Sequence, residues 1–290
     1  METDNQKIKC PICNLDDVEF YAIKKGYNFY RSKNCGLIFL WPLPKDINIY
    51  NTDYFCGATG GHGYVDYEKN KAPMSKTFRK YLEIMGKYSK ERGCLLDIGA
   101  ATGYFLELAS RDNWQGMGIE ISEYAAQKAR NKGLKVLCGT LGDVDLLNNK
   151  FNAITMWDVL EHLSDPNGDI AIIAGALKRG SILAINTPDS DSAWARIFGQ
   201  HWHLLIPPEH LFLFGIKSLE ILLNKNNFEI LEIKKIGKSF TLAYFFSVLY
   251  NWQNIALWKK LSHICSGGFF SKIAIPINLR DNIFIIAKKI

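Results

Sequence analysis

The chain has 290 residues, 48% hydrophobic and 22% charged, enough to bury a full-sized core without a disulfide scaffold. Its net charge of +6 is scattered over separate lysines such as Lys24-Lys25, Lys234-Lys235 and Lys259-Lys260, which argues against nucleic acid as a partner. Seven cysteines, an odd set, and the polar opening Met1–Lys7 point to a reducing cytoplasm rather than a secreted scaffold. Residues 1–50 read as a small module of short strands, Tyr27–Arg31 and Gly36–Leu40, around Cys10-Pro11-Ile12-Cys13 and Asn34-Cys35-Gly36. A connecting segment, residues 51–92, holds the Gly- and Tyr-rich stretch Tyr54–Tyr67. It ends in a lid helix predicted over Ser75–Lys90, where Phe78, Leu82, Met85 and Tyr88 recur at helical steps.

From residue 93 to 290 strand and helix alternate, the pattern of an α/β domain with a mostly parallel sheet covered on both faces. Strands are predicted at Cys94–Ile98, Gly116–Ile121, Leu134–Cys138, Ala153–Trp157, Ser181–Asn186, Phe228–Lys235 and Asp281–Ala287, which makes seven. Helices are predicted at Tyr104–Arg111, Ser122–Lys132, Ile170–Leu177 and Leu219–Asn226. An apolar helical insertion, about 240–278, precedes the last strand. Within it Ser239–Trp258 carries no formal charge and is long enough to cross a bilayer. Asn251, Gln253 and Asn254 interrupt that run, so a buried or membrane-surface helix is expected instead. Such a helix either caps the active site, builds a dimer face, or meets a lipid surface.

The chemistry begins at the first strand of the large domain. Leu95-Leu96-Asp97-Ile98-Gly99-Ala100-Ala101-Thr102-Gly103 delivers an acid to a strand end and then turns sharply on glycine. The next strand ends in Glu120, whose carboxylate suits a ribose diol. A dinucleotide site needs Gly-x-Gly-x-x-Gly, and Ala101 stands where its middle glycine belongs. Asp97 would repel a pyrophosphate but suits a cationic sulfonium and ammonium, which favours S-adenosylmethionine (SAM) over NAD.

This segment resembles motif I of class I SAM-dependent methyltransferases, and Met156-Trp157-Asp158-Val159-Leu160-Glu161-His162-Leu163 resembles their motif IV. Leu177–Ser181, Ile185–Pro188 and Pro207-Pro208-Glu209-His210-Leu211 are similar to one branch, that of ubiquinone-biosynthesis and sugar methyltransferases. The resemblance spans roughly residues 93 to 235 and implies a Rossmann-like, doubly wound fold. It also implies that Asp97, Gly99, Ala101 and Gly103 line the methionine part of SAM. Glu120 would hold the ribose, Ile121 the adenine face, and Thr140 and Leu141 the adenine edge. Trp157 and Asp158 would close beside the methyl group. Ala101 departs from the glycine usual in the family, a change of one methyl group.

Methyl transfer to a hydroxyl needs a base, and His162 and His210 are the candidates, each after a strand end at the rim. His162 reads equally as a capping or supporting residue. His201 and His203 flank Trp202, a more speculative lid, and Tyr64 and Tyr67 could cover the pocket from another side. Cys10, Cys13 and Cys35 resemble a zinc ribbon in which Ser32 replaces the third cysteine. Either three thiolates bind structural zinc, with water, Cys56 or His62 as the fourth ligand, or the module stands without metal. The expected function is methyl transfer to a small acceptor, a nucleotide- or lipid-linked sugar. Quinone-type and RNA acceptors, and a SAM-binding protein without turnover, remain as alternatives.

Overall fold

In the computed structural model, residues 7–44, 71–144, 146, 150–267 and 274–290 are described. The central sheet has seven strands and is mostly parallel, as the alternation of elements predicts. In chain order these strands are β4 (Cys94–Ile98), β5 (Gln115–Glu120), β6 (Lys135–Cys138), β7 (Phe151–Trp157), β8 (Leu177–Pro188), β10 (Phe228–Lys234) and β13 (Asn282–Lys289). Their order across the sheet is β10-β13-β8-β7-β4-β5-β6. By contacts the chain divides into two units. One comprises Met1–Ile47, Met156–Lys235 and Arg280–Ile290, the other Asn48–Thr155 and Ile236–Leu279.

In the second unit β4, β5 and β6 run parallel, with Asp97 opposite Gly118 and Glu120 opposite Cys138. Helix α1 (Lys71–Tyr88) buries Phe78, Tyr81, Leu82 and Met85, close to the periodicity read from the sequence. Helix α2 (Tyr104–Arg111) turns Phe105, Leu106, Leu108 and Ala109 inward. Its Glu107 in the first turn and Arg111 in the last both suit the helix dipole. Helix α3 (Glu123–Arg130) buries only Ala125, Ala126 and Ala129, small side chains that allow close approach. Gly118 on β5 lets the turn and α2 approach closely, since a Cβ there would stand 2.6 Å from the Ala100 Cβ and 3.0 Å from the Leu106 Cδ1.

The apolar insertion folds as a two-stranded ribbon and a helical hairpin. Strand β11 (Lys238–Thr241) pairs antiparallel with β12 (Ala274–Ile277). Between them lie α7 (Leu242–Gln253) and α8 (Ala256–Cys265). The uncharged run is broken at Asn254, which takes a left-handed conformation at the end of α7. Among the described residues no helix is long and apolar enough to cross a membrane.

In the first unit β13 pairs antiparallel with both β8 and β10. A second sheet, of order β1-β2-β3-β9, is built from β1 (Val18–Lys24), β2 (Tyr27–Ser32), β3 (Ile38–Leu40) and β9 (Phe212–Leu213). The N-terminal strands therefore pair with a segment some 170 residues away, through Phe39↔Phe212 and Ile38↔Leu213. Asp165 caps α4 (Pro166–Ala176) by accepting from the Gly168 N–H at 3.0 Å, with Pro166 in the first turn. Two further helices complete the unit, α5 (Ala193–Phe198), capped by Ser192, and α6 (Ile216–Lys225).

Candidate active site

The turn after β4 is a small polar cradle held by backbone bonds. Gly99 and Ala100 both donate to the Ile119 carbonyl, at 2.9 and 3.0 Å. The Glu120 carboxylate then accepts from the Ala101 N–H at 2.8 Å and from the Ser122 N–H at 2.9 Å, one bond per oxygen. Glu120, read from the sequence as a ribose clamp, thus also ties the turn to the start of α3. Burial raises the Glu120 carboxyl above its ordinary value, and these backbone bonds pull against the rise.

Three residues of the turn have positive φ: Gly99 at 73°, Ala101 at 47° and Gly103 at 81°. At Gly103 the left-handed backbone favours glycine, and a Cβ would also press on the Leu134 Cδ1 at 2.3 Å and the Ala129 Cβ at 3.1 Å. Ala101 takes the same handedness with a side chain, so the family departure costs strain as well as a methyl group. Met74 and Tyr124 pack against Ala101 and Ala125 beside it.

Asp97 is wholly buried at the mouth of the turn. Burial pushes its carboxyl from 3.8 up to about 8, the Thr155 hydroxyl pulls it back, and the charge of Glu120 adds to the rise. Thr155 donates to Asp97 Oδ1 at 2.7 Å. The Thr102 hydroxyl is buried and has no hydrogen-bond partner among the described residues. A buried acid with no counter-ion among the described residues, and an unmatched hydroxyl in the same turn, form a polar set that fits a cationic, polar ligand. Ile121 is half exposed next to Glu120, and Leu141 is buried. Thr140 is exposed and binds Asp143 Oδ2 through both its N–H and its hydroxyl, at 2.8 and 2.7 Å.

In the other unit, motif IV ends in a 3₁₀ turn, Leu160–His162. Trp157 stacks on Phe284 with ring centres 6.0 Å apart. Asp158 has a φ of 57°, accepts from Asn186 Nδ2 at 2.7 Å and donates its N–H to the Asn186 carbonyl. A non-glycine residue held there by two bonds to one neighbour is the kind of strain that accumulates at working sites.

His162 and His210, 48 positions apart in sequence, come together with ring centres 4.9 Å apart and rings at 70°. His162 Nδ1 lies 2.7 Å from the Glu209 carbonyl and His210 Nδ1 lies 2.6 Å from the Leu204 carbonyl. A carbonyl only accepts, so each Nδ1 carries the proton and in the neutral ring Nε2 carries the lone pair. Burial lowers the His162 pKa, while its bond to Glu209 and the charge of Asp158 oppose the shift. Glu161, buried beside them, accepts from the Thr187 hydroxyl at 2.8 Å. One ligand atom from each of Glu161, His162 and His210 lies within 4.8 Å of the others.

Trp202 is buried to 1% and belongs to the core, not to a lid, and His203 Nε2 stands 3.5 Å from Asp281 Oδ2. Cys10 and Cys35 have their sulfurs 3.5 Å apart, and Cys13 lies 3.5 Å from the Ser32 hydroxyl. The three thiols form one cluster with Ser32 buried at its edge. Cys56, His62, Tyr64 and Tyr67 lie outside the described residues. The sequence reading did not single out Thr155 or Glu161. Glu161 sits next to His162 in a motif already recognised, while Thr155 shows no signal beyond its inward place on β7.

Residues 70–233 match a family described as a methyltransferase domain. The chain belongs to this family. Its fold is that of the class I SAM-dependent methyltransferases. A SAM-dependent methyltransferase from Archaeoglobus fulgidus is similar, with a TM-score of 0.52 and 19% identity over 76% of this chain and 94% of that one. Magnesium protoporphyrin IX methyltransferase from Synechocystis, solved with bound SAH, is similar with a TM-score of 0.51 and 13% identity, over 80% of this chain and 90% of that one. At these identities the likeness of this chain to both is one of fold. An uncharacterized protein of Methanocaldococcus jannaschii is 28% identical over 134 residues, 46% of this chain. The chain spans 62% of the length of that curated relative.

Proposed function

We propose that this methyltransferase moves the methyl group of SAM to a hydroxyl of a small acceptor, a sugar carried on a nucleotide or a lipid. The observation that carries the cofactor half is the buried Asp97 carboxyl, with no cation beside it among the described residues, at the mouth of a glycine turn. Asp97, Gly99, Ala101 and Gly103 would hold the amino-acid end of SAM, and Glu120 the ribose. Ile121, Thr140 and Leu141 would border the adenine, with Trp157 and Asp158 beside the methyl group. When bound, SAM supplies an electrophilic methyl on a cationic sulfur.

The acceptor half rests on the two histidines. With Nδ1 protonated and bound to a backbone carbonyl, each offers Nε2 as the proton-accepting atom, the arrangement of a general base. Burial keeps His162 neutral near pH 7, the form a base requires. A polar acceptor suits the Glu, Asp and His side chains gathered in this unit. Quinone-type and RNA acceptors and a protein without turnover are the outcomes to be separated. Incubation with methyl-labelled SAM and fractionated cell extract should label a carbohydrate. Label in RNA or a quinone would move the acceptor assignment, and SAM binding with no labelled product would remove turnover. Full transfer by Asp97→Ala would overturn the cofactor assignment.

A second reading is favoured by the Glu161, His162 and His210 cluster, whose ligand atoms lie within 4.8 Å of one another. Each histidine is oriented through Nδ1 by a carbonyl, as metal-bound histidines commonly are. Under that reading the three hold a divalent cation that binds the acceptor oxygens. Loss of transfer on chelation, restored by added cation, would select it over the free-base reading. The Cys10, Cys13 and Cys35 cluster is likewise proposed to hold structural zinc, with Ser32 at the fourth position.

A further inference from the structure

Between Glu232 and Asp281 the sequence contains no acidic residue in 48 positions, whereas 29 Asp and Glu in 290 residues would place about five there. The same stretch holds Lys234, Lys235, Lys238, Lys259, Lys260, Lys272 and Arg280. Its centre is the α7–α8 hairpin. Phe246 stacks on Trp258 with ring centres 5.9 Å apart, Ser262 donates to the Ala243 carbonyl at 2.8 Å, and Lys259 lies 5.7 Å over the Tyr250 ring. These contacts fix which side of α8 is spent within the hairpin. The other side carries Leu257, Lys260 and Ile264 at steps of three and four, hence on one stripe, with Ile255 at the helix start. Leu257 is 55% exposed, Ile264 53% and Ile255 45%.

We infer that this face of α8 docks on an anionic lipid bilayer, with Leu257, Ile264 and Ile255 entering the headgroup region and Lys260 meeting lipid phosphates. Apolar side chains alone would suit a protein partner equally well. The charge decides between them. A second copy of the chain would meet this face with the same face in a two-fold contact, setting lysines against lysines with no acid to balance them. An anionic surface attracts Lys260 on the stripe, with no acid anywhere in the hairpin to oppose it, and its aliphatic stem can lie along the apolar layer while the amine reaches phosphate. The hairpin is too short to span, so the contact is peripheral. The inference deepens the proposed function by giving a lipid-carried acceptor a surface, but the binding it describes does not depend on methyl transfer.

The test is co-sedimentation of the full chain with vesicles of phosphatidylcholine alone and of phosphatidylcholine mixed equally with phosphatidylglycerol. The chain should pellet with the mixed vesicles, and added salt should release it. Lys260→Glu should weaken the binding at least about fivefold, taking the effect of one surface lysine. Leu257→Glu with Ile264→Glu should abolish it. Lys260, Leu257 and Ile264 are exposed, so SAM binding and the melting temperature should stay at wild-type values, which separates lost docking from lost folding. Equal binding to both vesicles, no binding, or variants that bind as wild type would overturn the inference. So would a fall in molecular mass on Leu257→Glu/Ile264→Glu without vesicle binding, which would assign the face to a second copy. Failure of the methyl-transfer assay leaves this readout untouched.

Discussion

Replacing Asp97 with Asn should remove the pH dependence of SAM binding. Burial holds the Asp97 carboxyl at about 8, so near pH 7 about a tenth of the protein carries the charge. The ionised carboxylate is the form that complements a sulfonium and an ammonium. Below pH 8 each unit of acidification should therefore cost close to tenfold in affinity, ~1.4 kcal/mol, and about fiftyfold between pH 8 and pH 6. Above pH 8 the cofactor's own amine loses its proton and the curve should turn over. Asn keeps an oxygen for the Thr155 hydroxyl but has no charge, so its binding should be weak and flat across the same window. For the cofactor-free protein the sign is opposite. A carboxyl raised on folding favours the fold below its unfolded value near 3.8, and that contribution is lost as pH rises toward 8. Isothermal titration in buffers of different ionisation heat reads both affinity and the proton released on binding. A wild-type affinity unchanged between pH 6 and 8, or the same slope in Asp97→Asn, would refute the reasoning.

The turn itself allows two opposite tests. Gly103→Ala combines a left-handed φ of 81° with a Cβ 2.3 Å from Leu134 Cδ1 and should cost about 2–5 kcal/mol in urea unfolding. A loss under about 1 kcal/mol would mean the turn relaxes freely. Ala101→Gly relieves the strain at φ 47° and should raise the melting temperature by about 1–3 °C, so a fall counts against that strain. His162→Asn should lower kcat by about a hundredfold or more with SAM affinity unchanged, and an unaltered kcat would exclude the residue from both readings of the acceptor site. Ser32→Cys should tighten zinc binding by completing a four-thiolate set, as measured by competition with a colorimetric chelator. An unchanged affinity would place Ser32 outside the coordination sphere.

The parallel strands and their helices were legible because each is local: an apolar run, a turn residue and a helical period lie within a few positions of one another. The boundaries moved where the signal was tertiary. Strand β8 runs from Leu177 to Pro188, longer than the predicted Ser181–Asn186, and of its added residues Thr187 and Pro188 are held by pairing with Ile283 and Asn282 of β13. Strand β1, Val18–Lys24, alternates weakly and was not predicted. Its sheet closes on Phe212–Leu213, two residues that carry no strand signal by themselves. Trp202 was misread for a related reason. A tryptophan between two histidines in a loop resembles a lid, and only the fold shows the loop pressing it into the core.

The site separated along the same line. The places of Asp97 and Glu120 at strand ends and of Gly103 in the turn were readable from the sequence, because each is marked by a short apolar run or a turn residue. Their energetics were not, since burial sets them. Neither the raised carboxyl of Asp97 nor the Thr155 bond that opposes it follows from spacing. Glu120 shows how the two levels combine. Its carboxylate accepts from Ala101 and Ser122, so the residue that would hold the ribose also holds the turn in the shape the ribose needs. A change there would disturb geometry and recognition together. Glu120→Gln keeps the size but turns one acceptor into a donor facing a backbone N–H, so it should weaken cofactor binding and also loosen the turn. Asp97→Asn, whose one hydrogen bond survives the change, should alter charge alone. The two carboxylates of the cradle can therefore be told apart by whether thermal stability falls along with affinity.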